Sequence, residues 1–68
     1  MGAPTREDLE QAISEATHYR DRLVSDVKSM GQKLKLPQKK IQRALDGHVE
    51  IQRFNAILEQ LKTQLSAL

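Results

Sequence analysis

The chain has 68 residues, which is enough for one small domain that buries a modest fraction of its surface. It contains no cysteine, which excludes disulfides and thiolate metal sites, and its two histidines lie too far apart to share a ligand motif. The formal net charge is +2, and no apolar run approaches the roughly 20 residues that cross a bilayer. We therefore expect no membrane insertion and a cytoplasmic location.

The first predicted element is a long helix over about residues 5–35. Thr5 suits the N-cap, and Asp8 lies three residues later, as in a capping box. Apolar residues then recur at alternating steps of four and three, which is a heptad seam. These residues are Leu9, Ile13, Ala16, Leu23, Val27, Met30 and Leu34. Arg20 occupies the one seam position without an apolar residue. Either its aliphatic part packs in the seam while its guanidinium reaches water, or it determines the register of the helices.

A turn is predicted within residues 31–36. Gly31 weakens or ends the first helix, and the residue before Pro37 avoids helical geometry. A second helix should run over about 37–67, with a candidate kink at Asp46-Gly47. The fold class is thus all-α, an antiparallel two-helix hairpin resembling a coiled coil.

A lone hairpin of this size buries little, so self-association or binding to another protein is expected. The second helix carries more apolar residues than one neighbouring helix needs, and this excess is a candidate partner face. The residues proposed for it are Phe54, Ile57, Leu58, Leu61 and Leu65. His48 lies on the same apolar stripe and is predicted to be a packing residue.

Charge is unevenly distributed along the chain. Residues 28–43 carry six basic residues and no acidic one, whereas residues 1–27 carry six acids and three bases. A solvated turn, an acidic protein partner and a nucleic-acid backbone all fit this pattern. The sequence shows no phosphate loop, nucleophile motif or metal-ligand set, so we expect neither an enzyme nor a binder of cofactors or small molecules.

The order of long helix, turn, proline-started helix and the segment 54–61 resembles the small co-chaperones of type III secretion needle subunits. Members of that family are helical hairpins that keep the needle subunit soluble together with a larger chaperone. The resemblance implies that the apolar face of the second helix docks into a partner groove.

A second resemblance is local: residues 30–44 look like a helix-turn-helix of the phage-repressor kind. Gly31 lies where a small residue lets two helices cross, and Leu36, Ile41 and Ala44 supply the apolar positions. This alternative implies DNA contacts from exposed polar and basic residues. These are Gln38, Lys39, Lys40, Gln42 and Arg43.

Three hypotheses follow: a partner-binding hairpin first, a DNA-binding regulator second, and a homodimeric adaptor third. One structural feature separates the first two. An unbroken helix through residues 20–30 is incompatible with the repressor-type motif, whereas a break near Ser25 supports it.

Overall fold

A computed structural model of the chain describes residues 2–68 and contains three α-helices in this range: α1 Arg6–Lys33, α2 Gln38–Asp46 and α3 Val49–Ser66. The molecule is elongated, with extents of 49 × 17 × 15 Å. α3 returns antiparallel along α1, and α2 packs on the C-terminal end of α1. The all-α class is confirmed, but the two-helix hairpin is not, because the predicted second helix is two helices that break beside the candidate kink at Asp46-Gly47.

α1 begins with the predicted capping box. The Asp8 amide donates to the Thr5 hydroxyl at 3.1 Å, and the Thr5 amide donates to the Asp8 carboxylate, also at 3.1 Å. These bonds satisfy amides that would otherwise lack partners at a helix start. The helix then runs without interruption past Ser25 to Lys33, close to the predicted bounds.

α1 ends in a Schellman-type turn. The Leu36 amide donates to the Gly31 carbonyl at 2.9 Å, and the Lys35 amide donates to the Gln32 carbonyl at 3.0 Å. Lys35 takes the left-handed conformation, with φ of 55°, at the position where glycine is most common. Pro37 follows as the N-cap of α2, one residue earlier than its predicted place inside the helix.

The break between α2 and α3 lies at Gly47-His48. His48 has extended backbone, with ψ of 113°, and its Nδ1 accepts a hydrogen bond from the Ile51 amide at 3.3 Å. It is therefore the N-cap of α3 rather than only a packing residue. The Gln52 side-chain amide also donates to the Asp46 carbonyl at 2.6 Å, which satisfies an acceptor at the end of α2.

The core is a thin seam between the helices. Among residues 2–68, the buried hydrophobic side chains are Leu9, Ile41, Ile51 and Leu58. Tyr19 stacks on Phe54 across the seam, with ring centroids 5.0 Å apart. With so small a core, several large apolar side chains remain exposed to solvent.

Candidate protein-binding groove

The residues predicted as a partner face on α3 line the seam with α1 more than they face solvent. Leu58 is only 2% exposed, so it is a core residue and not part of an open docking surface. Phe54, Leu61 and Leu65 are half-buried. Ile57 alone among the five is exposed, at 38%. The apolar stripe of α3 therefore serves internal packing first.

A different apolar surface is open at the α1–α2 corner. There the last turns of α1, the turn and α2 enclose a shallow groove of about 270 Å³. The groove is lined by Asp26, Val27, Met30, Gly31, Leu36, Ile41 and Ala44. All but Asp26 are nonpolar, so the groove presents a hydrophobic floor with one carboxylate beside it.

Gly31 and Ile41 set the geometry of this groove. Gly31 is buried, and a Cβ built on it would lie 2.6 Å from Cγ1 of Ile41. The absence of a side chain at Gly31 thus lets Ile41 rest directly on the α1 backbone. Met30 and Leu36 also line the groove and are 61% and 37% exposed.

Basic side chains flank the groove. Lys33 lies one turn beyond Met30 on α1, and Lys40 lies one turn before Ala44 on α2, so each shares a helix face with a lining residue. The ion pairs found within residues 2–68 are Arg20–Asp21 and Arg53–Glu50. The basic residues of 28–43 therefore remain available to an external partner.

The residues predicted to contact nucleic acid are all on α2 and exposed. Gln42 donates to the Asp46 carboxylate at 3.0 Å, so its amide is engaged within α2. The repressor-type motif also requires an earlier helix that ends near Ser25. α1 is continuous there, so the structure lacks the separate earlier helix that this motif needs, although α1 and α2 do cross at Gly31.

The groove was not predicted from the sequence, although its residues left a signal. Met30, Leu34 and Leu36 place large apolar side chains at a turn, where polar residues are usual, and Gly31 lies among them. Elsewhere in residues 2–68, His, Asp and Glu form no group of three or more able to hold a metal ion. None of the helices described is long and apolar enough to cross a membrane.

Comparison with known proteins gives one match. No curated protein and no solved structure matches the chain. A family described as a domain of unknown function, DUF8630, matches residues 7–68, a range that includes all of α2 and α3 and nearly all of α1. Since this match spans most of the sequence, the chain belongs to the DUF8630 family.

Proposed function

We propose that this chain is a non-enzymatic module that binds another protein, and that the groove at the α1–α2 corner is its docking site. The observation that carries the proposal is the exposure of Met30 and Leu36 beside a nonpolar floor. Contiguous apolar surface with a polar rim is typical of interaction sites. Helices commonly dock into such grooves through a few buried anchors.

The energetics favour a covered groove. Full burial of a large aliphatic side chain stabilises a complex by about 1.5–3 kcal/mol. Leu34, on the turn that follows α1, is 63% exposed and adds to the apolar area near the groove. The core has four buried hydrophobic side chains, so the free energy of unfolding of the isolated chain is expected to be small. A partner that binds only the folded chain would increase it.

A more specific form of this proposal is a small co-chaperone of a type III secretion needle subunit. It is supported by the all-helical fold, by α3 returning along α1, and by the resemblance of the segment 54–61. Calorimetric titration with a purified needle subunit tests it directly. Heat of binding that is lost when the groove is made polar supports this assignment, and no binding rejects it while leaving the broader proposal intact.

The experiment for the broader proposal compares two double variants. Met30→Gln with Leu36→Gln makes the groove polar, and Val49→Gln with Ile57→Gln makes the same change on α3. The pairs are matched in exposure, since Met30 and Leu36 are 61% and 37% exposed and Val49 and Ile57 are 69% and 38% exposed. Circular dichroism checks that both variants keep the helical content of the unmodified chain.

Affinity capture from native cells, with quantitative mass spectrometry, then compares the three proteins. We expect one set of proteins to co-purify with the unmodified chain and the α3 variant but not with the groove variant. If the co-purifying proteins are lost only from the α3 variant, the docking site is on α3, as first predicted from the sequence. Capture that neither variant changes contradicts docking through apolar helix surfaces.

A further inference from the structure

We infer that the occupant of the groove is an acidic amphipathic helix of another protein. This inference rests on the proposed function and adds the chemistry of the partner. It follows from two features that coincide at the α1–α2 corner: a nonpolar floor and flanking cations without internal ion pairs. A helix with an apolar stripe bordered by Asp and Glu complements both.

The charge argument begins with residues 28–43, which carry six bases and no acid. Lys33 and Lys40 are not in the lining but lie one turn from the lining residues Met30 of α1 and Ala44 of α2, so they flank the groove from its two helices. The one acidic side chain in the lining is Asp26, a turn of α1 before Met30. The end of the groove nearest the turn is therefore positively charged and attracts acidic side chains.

The floor argues for a protein and against a nucleic acid. A phosphate backbone is matched by cations and hydrogen-bond donors and gains nothing from burying Met30 and Leu36. The groove is shallow and largely open to solvent, whereas small-molecule sites enclose most of their ligand's surface. It suits a few anchoring side chains on a helix better than a free ligand.

A second copy of this chain fits the groove poorly. Its acidic segment is the start of α1, where Glu7, Asp8 and Glu10 lie. The apolar residues of that segment are already used, since Leu9 is 4% exposed and Ile13 is half-buried in the seam. A second copy would have to open its own hairpin to present them, so we assign the groove to a different protein.

The test uses two synthetic helical peptides with the same leucine stripe, one with Glu and the other with Lys at the flanking positions. Fluorescence anisotropy measures the Kd of each peptide for the full chain. We expect the acidic peptide to bind at least about tenfold more tightly than the basic one. We also expect this preference to shrink as NaCl is raised, because salt screens exposed charges.

Charge-reversal variants identify the cations responsible. Lys33→Glu with Lys40→Glu should reverse the preference between the peptides. The matched control is Lys28→Glu with Lys62→Glu, which changes the net charge equally. Lys28 borders a separate cavity on the other side of Ile41, and Lys62 lies on α3. The control should keep the preference for the acidic peptide, and Met30→Gln with Leu36→Gln should abolish binding.

Several results overturn the inference. If the two peptides bind equally well, or if neither binds, the partner is not an acidic helix. The proposed function would still stand if the groove substitutions abolish capture of cellular partners. Tighter binding of a mixed-sequence DNA duplex, abolished by Lys33→Glu with Lys40→Glu, makes nucleic acid the ligand. Self-association by sedimentation that the groove substitutions abolish makes a second copy the occupant.

Discussion

A methyl group added to Gly31 would lie 2.6 Å from Cγ1 and 2.8 Å from Cδ1 of Ile41, so α1 and α2 meet here with no space between them. Gly31 is inside a helix, where glycine is about 1 kcal/mol less favourable than alanine. The close approach to Ile41 is the physical reason for a glycine at this position.

Gly31→Ala should therefore lower the free energy of unfolding, although alanine is the better helix former. Overpacking costs about 1–3 kcal/mol, and the approach of 2.6 Å to Cγ1 of a stiff β-branched side chain favours the upper part of that range, above the propensity gain of about 1 kcal/mol. Urea denaturation followed by circular dichroism measures the change. Ser29→Ala, at an exposed position of the same helix, is the control and should be neutral or slightly stabilising.

The sign of this effect should reverse when Ile41 is truncated. In an Ile41→Ala background the clashing atoms are gone, so Gly31→Ala should raise the thermal midpoint. A destabilising effect of equal size in both backgrounds contradicts the proposed contact.

Leu58 and Ile57 are neighbours in sequence with opposite surroundings, 2% and 38% exposed. Leu58→Ala should lower the free energy of unfolding by about 2–5 kcal/mol, which is enough to unfold much of so small a protein. Ile57→Ala should change it by less than about 1 kcal/mol. Thermal denaturation of the two variants checks this difference, and equal losses would show that α3 is rotated relative to the structure described.

His48 should stabilise the start of α3 through the hydrogen bond that its Nδ1 accepts. His48→Ala should cost about 0.5–2 kcal/mol, because the Ile51 amide loses its partner at the start of α3. His48→Asn offers an oxygen in a similar place and should keep most of the stability. The measurement is chemical denaturation of both variants, and an asparagine variant as weak as the alanine variant refutes the capping role.

Arg20 tests whether a polar residue in the seam sets its register. Its guanidinium donates to the Asn55 side chain at 3.3 Å and pairs with Asp21 at 2.9 Å, and the side chain is 30% exposed. Exposed pairs contribute about 0–1 kcal/mol. Arg20→Met, which keeps an apolar stem, should therefore leave the thermal midpoint nearly unchanged. A large loss of stability would instead indicate that the bond to Asn55 fixes the register of α1 against α3.

The features predicted well from the sequence are those with local causes. The Thr5–Asp8 capping box and the uninterrupted α1 depend on residues within one or two turns, so their pattern predicts them directly. The seam itself was only partly right, because its last two members, Met30 and Leu34, are 61% and 63% exposed. The break at Gly47-His48 was less clear, because histidine is not among the usual N-cap residues. Its role follows from the position of Nδ1 in the folded chain.

The candidate site was harder to predict, because it depends on how separate elements pack. The sequence pattern of an apolar stripe is the same whether it packs on a helix of the same chain or on a partner. Leu58 was therefore predicted to contact a partner, although it is buried in the core. The groove arises from the approach of Ile41 to Gly31, a helix crossing that the repressor-type resemblance predicted but did not connect with protein binding. The exposure of Met30 and Leu36, which makes this surface a candidate site, was not predicted.

The interruption at Gly47-His48 has a consequence for motion. It separates α2, which spans nine residues, from the longer α3, and Ile41 is the one residue of α2 that is buried. A segment with so few buried contacts can open while the α1–α3 seam stays closed. The backbone amides of α2 should thus exchange with deuterated water faster than those of α1 and α3. A partner bound beside Ile41 should slow the exchange of the α2 amides selectively.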